Sequence, residues 1–292
     1  MYTDRRRRRV APRTRLSAGT LLALSAVVLW GVIASSASAA VPGLQRVQTV
    51  SALDSLPSKV VAATCPAGLQ LIGTASDIDG AAGNVVIDDQ TPNAGLNAVT
   101  VTAFEDDDGT AADWTVTAIA ICANPLGAQL VTVSSATDSN NKGVAVACPN
   151  GTMLLGAGFD VTGSLGEVFT SGLEPNGQLS TVSATAFEDE TGEANAWTLR
   201  GYGICAPDPG GLVRVFVDSV SSSNDKSVVA NCPGAKVAVG NGHQLTGASG
   251  QVLIGRDSPN AGLTANTVTG FEDDTGTALQ WTLRSYLMCA TP

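Results

Sequence analysis

The sequence has little charge and few aromatic side chains. Charged residues make up 14% of its 292 residues and aromatic residues 4%, against 44% hydrophobic residues. An intrinsically disordered chain is excluded, because such chains have too little apolar surface to offset the entropy of ordering. The Ala/Glu/Lys/Leu/Arg heptads of a coiled coil are also missing. No segment after the N-terminal region has a 3.6-residue apolar period, so the chain is predicted to be all-β.

Residues for catalysis are scarce as well. The sequence has one histidine, His243, and no Cys-x-x-Cys pair, which argues against a redox or zinc role for the cysteines. A Ser/His/Asp arrangement needs a histidine, and no nucleophile-elbow motif lies near His243. We interpret His243 as a core or surface residue and expect no catalytic residues, so the protein is predicted not to be an enzyme.

The N-terminus has the three parts of a secretory signal peptide. Seven arginines precede an apolar stretch at 21–34, and Ala37-Ser38-Ala39 forms a small-residue cleavage site. The 14 apolar residues are too few to span a bilayer, for which about 20 are needed. We expect residues 1–39 to be removed and the product to be secreted and extracellular, with no membrane anchor after cleavage.

Cleavage makes the protein strongly acidic. Removal of seven arginines and Asp4 leaves 9 basic and 25 acidic residues, a net charge near −16. Nucleic acids and anionic membranes are held by basic patches, so neither is an expected partner.

The remaining chain consists of three copies of one module of about 83 residues. The copies span residues 40–124 (repeat 1), 125–207 (repeat 2) and 208–292 (repeat 3). They share a Cys-Pro start, a Pro-Asn turn, a Phe-Glu-Asp motif, a Trp-Thr pair, a closing Cys-Ala and a lysine six residues before the first cysteine (Lys59, Lys142, Lys226). In these alignments His243 corresponds to Ser76 and Phe159, so it is not a repeated feature.

Each repeat predicts strands separated by Gly-, Pro- and Asn-rich turns. In repeat 1 these strands are 59–65, 69–78, 84–89, 98–104 and 114–122. Both faces of the last strand are apolar near its end, which predicts that it is covered on both sides. Asp108-Gly109 is a strong hairpin signal between the last two strands. The expected architecture is three β modules, arranged as a β-prism or as three linked Greek-key sandwiches.

The six cysteines should pair, because the exterior is oxidising. Two connectivities respect the repeat: Cys65–Cys122, Cys148–Cys205 and Cys232–Cys289, or Cys122–Cys148, Cys205–Cys232 and Cys289–Cys65. We favour the first, since its spacing is 57 in every copy.

The Phe-Glu-Asp motif carries the strongest local charge. Clustered carboxylates on a loop suit Ca²⁺, which takes six to eight oxygen ligands. The spacing is not that of an EF-hand, and we favour a solvated hairpin tip that keeps the protein soluble, with Ca²⁺ as the alternative and no other cofactor. The candidate metal ligands are Glu105, Asp106, Asp108, Glu188, Asp189, Glu190, Glu272, Asp273 and Asp274.

Two other repeated features allow a structural or a binding role. Trp114, Trp197 and Trp281 are expected in the core, although they could stack on sugars. The Pro-Asn segments are expected to be turns whose asparagine amide could also meet a ligand.

The Cys-Pro-x-Gly start, the Pro-Asn turn and the closing Trp…Cys-Ala resemble repeats of secreted actinobacterial proteins of uncharacterised function. The resemblance covers the whole chain after residue 39, although Ala235 replaces the glycine in repeat 3. The threefold disulfide-linked modules also resemble the vitelline membrane outer layer protein family, which implies a β-prism and an extracellular, non-catalytic or carbohydrate-associated role. The expected function is a secreted structural or binding protein, with cell-wall or extracellular polysaccharide as the expected partner. A calcium-assisted, lectin-like carbohydrate-binding protein is the first alternative and a secreted hydrolase the second.

Overall fold

The computed structural model describes residues 40–292 as one unit. The segment predicted to be a signal peptide, residues 1–39, lies outside the described residues. Residues 40–292 form 18 β-strands and no helix, which confirms the all-β prediction. Over this range, accordingly, no helix long and apolar enough to cross a membrane is found.

Each repeat contributes six strands. Repeat 1 forms β1 (Gln45–Val50), β2 (Ser58–Thr64), β3 (Gln70–Asp79), β4 (Val85–Pro92), β5 (Ala98–Glu105) and β6 (Thr115–Ala123). Repeat 2 forms β7 (Gln129–Ser134), β8 (Lys142–Ala147), β9 (Met153–Thr162), β10 (Val168–Pro175), β11 (Thr181–Glu188) and β12 (Thr198–Ala206). Repeat 3 forms β13 (Val213–Asp218), β14 (Lys226–Asn231), β15 (Val237–Thr246), β16 (Val252–Pro259), β17 (Ala265–Glu272) and β18 (Thr282–Ala290).

The strands form three six-stranded sheets, and every sheet is shared by two repeats. The strand orders are β1-β6-β3-β16-β17-β14, β13-β18-β15-β10-β11-β8 and β2-β5-β4-β9-β12-β7. Within one repeat, the two three-stranded halves pack against each other as a sandwich lobe. Each half then continues into the neighbouring lobe through a short antiparallel pairing, such as Asp89–Asp160 and Gln90–Phe159 between β4 and β9. The architecture therefore combines three sandwiches with the continuous, closed arrangement of a prism.

Burial patterns show where the cores lie. The outer strand β8 alternates strictly between buried and exposed residues, as expected for a strand with one face on a core. The inner strands β3, β9 and β15 each have six consecutive buried residues, because one face meets the lobe core and the other meets the neighbouring repeats. The last strand β6 is buried on both faces from Ala118 to Ala123, as its apolar pattern predicts.

The three inner strands meet closely at the centre of the molecule. A Cβ atom on Gly156 of β9 would clash with the carbonyl oxygen of Ile72 in β3, so only glycine allows this approach. The equivalent contacts run from Gly73 to Val239 and from Gly240 to Leu155, which closes a ring of three. We refer to the line through this ring as the central axis.

A second layer on the central axis is apolar. Val86, Phe169 and Leu253 occupy equivalent positions in the three repeats and form one buried cluster, with exposures of 1–2%. Each is the second residue of its strand, β4, β10 or β16, and each of these strands follows a short turn from a strand of another sheet. We call this cluster the apolar plug, and its Phe169 borders the loops described below.

The disulfides join the two layers of each lobe. The structure contains Cys65–Cys122, Cys148–Cys205 and Cys232–Cys289, with Cα–Cα distances of 5.7, 5.7 and 5.8 Å. These are the within-repeat pairs favoured from the constant spacing. Each one links the end of the second strand of a repeat to its last strand.

The predicted Asp-Gly hairpin is wrong. The strands before and after the acidic stretch, β5 and β6, lie in different sheets and do not pair with each other. The acidic loop instead crosses from one layer of the lobe to the other. A local turn signal could not reveal this, because β6 pairs with β1 and β3, which lie far from it in the sequence.

Candidate functional site

The three acidic loops come together at one end of the central axis. Each begins at a glutamate whose carbonyl oxygen touches a glycine of another repeat: Glu105 meets Gly166, Glu188 meets Gly250 and Glu272 meets Gly83. Gly166 has φ +96°, and a Cβ there would strike Glu105, so this contact needs glycine. The loops are thus placed by contacts between repeats.

The loops surround a depression that we call the acidic pole. It has a volume of about 100 Å³, and Phe169 of the apolar plug forms part of its floor. Apart from Phe169 it is lined only by acidic residues and two threonines: Asp106, Asp107, Asp108, Asp189, Glu190, Thr191, Asp273, Asp274 and Thr275. No basic side chain lines it among the residues that the structure describes.

The first glutamate of each acidic loop does not line the pole. The indole Nε1 of Trp114, Trp197 and Trp281 donates to the Oε1 atoms of Glu105, Glu188 and Glu272 at 3.1, 2.8 and 3.0 Å. The second carboxylate oxygen of Glu105 accepts from the backbone N–H of Thr110, and that of Glu272 from Thr277. Three of the nine candidate ligands are therefore held by the tryptophans.

The tryptophans are core residues. All three are 0% exposed, so no sugar can stack on them. The repeated lysines lie over their rings: Lys59, Lys142 and Lys226 place Nζ 4.5, 4.0 and 3.3 Å from the ring centroids. The repeated Lys, Trp and Glu thus form one internal unit in each lobe, in which a cation–π contact and an indole–carboxylate hydrogen bond meet.

Carboxylates from different repeats approach one another across the acidic pole. The nearby charge of Asp274 in repeat 3 raises the pKa of Asp108 in repeat 1. Burial raises the pKa of Asp273, and the charge of Glu190 in repeat 2 raises it further. Burial raises the pKa of Asp106 to about 6, assisted by the charges of Asp274, Asp107 and Asp108. The boundaries of repeat 3 with repeats 1 and 2 thus bring like charges together.

The boundary between repeats 1 and 2 holds the tightest group. One carboxylate oxygen each from Asp107, Glu167 and Asp189 lies within 4.8 Å of the other two. Burial raises the pKa of Glu167 to about 7, and the charges of Asp107 and Asp189 act in the same direction. Of these residues, only Asp189 is among the nine sequence candidates. Glu167 was hidden because its counterparts in the other repeats, Asn84 and Gln251, carry no charge.

Asp273 is the most buried acid of the acidic pole. It is 9% exposed, and its Oδ1 accepts from the hydroxyl of Thr275 and the backbone N–H of Gly276, both at 2.8 Å. Its Oδ2 is shielded from solvent and has no hydrogen-bond partner in the described chain. The Thr275 hydroxyl also donates to Glu190 at 2.9 Å, which ties the loops of repeats 2 and 3 together.

The single histidine lies inside repeat 3, away from the acidic pole. His243 is 2% exposed, and its Nδ1 is 2.9 Å from Oδ2 of Asp257. The Asn266 amide donates to the other oxygen of Asp257 at 2.8 Å and to the hydroxyl of Ser285 at 3.1 Å. This network is closed to solvent, since all four side chains are at most 2% exposed.

The Pro-Asn segments are turns whose asparagine oxygens are already used. Oδ1 of Asn93 accepts from the backbone N–H of Asn97, and Oδ1 of Asn176 and Asn260 accept from Ser180 and Thr264. The amide oxygen is therefore an internal cap rather than a free ligand group.

No protein-family model matches this chain, and no curated protein is significantly similar to it. The acidic pole and the lobe cores are thus interpreted from their own geometry.

Proposed function

We propose that the protein is a secreted, non-catalytic structural or binding protein of the cell exterior. The observation that carries this proposal is the closure of three disulfide-linked lobes through shared sheets. Disulfides are typical of oxidising compartments, and a fold in which every repeat is locked to both neighbours suits a durable extracellular scaffold. The resemblance to secreted actinobacterial repeat proteins agrees with this role.

The burial of His243 supports the non-catalytic part of the proposal. A general base must reach a substrate proton directly or through one water molecule. His243 is enclosed with Asp257 and Asn266 and has no route to solvent in the described chain. Paired carboxylates are the remaining option for a hydrolase, which requires one acid and one ionised partner at a defined separation across a substrate.

A calcium-assisted carbohydrate-binding protein is the second candidate. The convergence of three acidic loops on one depression favours it, because Ca²⁺ is held by several carboxylates from flexible loops. The buried tryptophans give no support to a stacking mode, so sugar hydroxyls would have to meet the cation or the loop edges.

A retention experiment separates these functions. Purified protein is incubated with cell-wall and polysaccharide preparations, with Ca²⁺ or with a chelator, and the bound fraction is measured. Retention that survives the chelator is expected for the scaffold role, and retention only with Ca²⁺ would favour the carbohydrate-binding alternative. Release of soluble sugars without retention would contradict both and favour a hydrolase.

A further inference from the structure

The negative charges of the acidic pole are not neutralised by basic side chains of the described residues. Carboxylates from three repeats face one another around a depression of about 100 Å³, and no lysine or arginine of residues 40–292 lines it. Like charges at this range oppose folding unless protons or a cation neutralise them. Some acids outside the acidic pole are paired with cations, as the Lys59–Asp54 and Lys142–Asp138 ion pairs show.

The geometry of one cluster of three carboxylates fits a cation. Ligand oxygens of Ca²⁺ lie 2.3–2.6 Å from the ion, so two ligands on opposite sides are separated by about 5 Å. The oxygens of Asp107, Glu167 and Asp189 are within 4.8 Å of one another, which allows one ion to contact all three. Mg²⁺ requires shorter distances and a regular octahedron, which three carboxylates on loops from two repeats do not impose.

A separate observation concerns Asp273, another residue in the lining of the depression. It is 9% exposed, and within residues 40–292 its Oδ2 has no hydrogen-bond partner, although Oδ1 has two. A buried carboxylate oxygen without a partner is costly, since the desolvation of the charge is not offset. Asp273 belongs to the lining of the acidic pole and feels the charge of Glu190, so a cation in the pole would provide the missing counter-charge.

We propose that a divalent cation of the calcium type binds at the edge of the acidic pole, with Asp107 and Asp189 from its lining and the adjacent Glu167 as ligands, and with Asp273 as a buried anion in the same lining. The cation would join repeats 1 and 2 directly and offset the charge that repeat 3 brings to the axis. The inference deepens the calcium-assisted alternative and rests on it for the choice of ion. Its test uses the metal alone, so that absence of polysaccharide binding leaves it unaffected.

The test compares the purified, chelator-treated protein with Ca²⁺, with Mg²⁺ and with NaCl of matched ionic strength. Isothermal titration calorimetry and thermal unfolding are the measurements. Binding to the folded state raises the melting temperature, by RT ln(1 + [L]/Kd) in free energy. We expect Ca²⁺ to bind and to raise the melting temperature more than either control. Equal shifts with Ca²⁺ and with matched NaCl would overturn the proposal and leave the acidic pole a solvated charged surface.

Variants give a second signature that a purely structural role does not produce. Glu167→Gln and Asp189→Asn remove charge with little change in size. Without cation, both should raise the melting temperature, because they relieve repulsion. With Ca²⁺ the wild type should have the higher melting temperature, because it binds the ion. The variants should bind Ca²⁺ at least tenfold more weakly.

Two further variants keep the result interpretable. Asp107→Asn changes an exposed ligand and should weaken Ca²⁺ binding without affecting folding. It replaces the other variants in the test if substitution of the half-buried Glu167 or Asp189 makes the protein unstable. Asp113→Asn alters an exposed acid outside the acidic pole and should change neither binding nor the Ca²⁺ shift. Wild-type Ca²⁺ affinity in the Glu167→Gln/Asp189→Asn double variant would overturn the ligand assignment.

Discussion

The indole Nε1 of Trp197 donates a 2.8 Å hydrogen bond to Glu188, a residue that the sequence pattern groups with the acidic loop. The same bond occurs in the other two repeats, at 3.1 and 3.0 Å. The glutamate thus anchors the start of the loop to the lobe core and leaves the following acids to face the central axis.

The first prediction concerns this anchor. Trp197→Phe keeps an aromatic ring but removes the donor, which leaves a half-buried carboxylate with one partner fewer. The free energy of unfolding should fall by about 1–3 kcal/mol, from the lost charged hydrogen bond and the smaller ring. Urea unfolding measures the change, and Asp113→Asn is the control for an exposed side chain. A value within 0.5 kcal/mol, or about the effect of an average surface substitution, would contradict the role of this bond.

The second prediction concerns the glycine ring. Gly156→Ala places a methyl group against the carbonyl oxygen of Ile72, so the central strands must separate. We expect either failure to fold or a fall in the free energy of unfolding of about 1–3 kcal/mol or more, as for other overpacked cores. Gly95→Ala is the matched control, because its nearest neighbour lies at 3.8 Å in a turn. Equal melting temperatures for the two variants would show that the ring tolerates a side chain.

The third prediction concerns pH and lies away from the acidic pole. Asp89 in β4 faces Asp160 in β9, and burial, with the charge of Asp160, raises the pKa of Asp89 to about 6. Its neighbour Asp88, also buried, has a pKa well above its ordinary value. Because the folded state holds these protons more tightly than the unfolded state, their contribution is most favourable at low pH and is lost as the pH rises from about 4 through about 6.

Asp89→Asn tests this pH dependence. The variant should be more stable than the wild type at pH 7, by up to about 3 kcal/mol, and the difference should shrink toward pH 4. Urea unfolding at several pH values gives the comparison. A variant that is less stable than the wild type at pH 7 would mean that the charged carboxylate is favourable in the fold.

The fourth prediction concerns the disulfides. Removal of one bridge by the double change Cys148→Ala/Cys205→Ala opens a loop of 57 residues and should lower the free energy of unfolding by about 4 kcal/mol on the chain-entropy estimate. Peptide mapping without reduction should recover only the pairs within each repeat. Recovery of a Cys122–Cys148 peptide would contradict the connectivity.

Much of the fold could be predicted because the same sequence pattern occurs three times in the chain. The constant cysteine spacing indicated the disulfides, and the shared turns indicated an all-β module. The first strand of each repeat, such as Gln45–Val50, was not predicted, since its mostly exposed residues show no alternation. The sharing of sheets between repeats was equally hidden, because it depends on short pairings between distant strands, such as Gln90 with Phe159, rather than on any local signal.

The candidate site could be predicted only in part, for a related reason. The sequence identified the acidic loops but grouped Glu105 with the acids of the acidic pole. In the structure Glu105 instead accepts a hydrogen bond from Trp114, nine residues later. Glu167 was missed because comparison between repeats favours shared residues, and its role comes from a difference between them. That the three acidic loops converge at the central axis is seen only in the structure. A local turn signal carries no information about which loops lie next to one another.

The shared sheets also determine the order in which the molecule can be completed. Strand β3 pairs with β16 through Ser76–Asp257 and Asp77–Arg256, contacts between residues about 180 positions apart. Long-range β pairing of this kind slows folding, because a large loop must close before the contact forms. As the chain emerges from N- to C-terminus, the first lobe therefore keeps an open edge on β3 until the last third of the polypeptide arrives. That edge is the point at which a folding chain is most exposed to pairing with a second molecule.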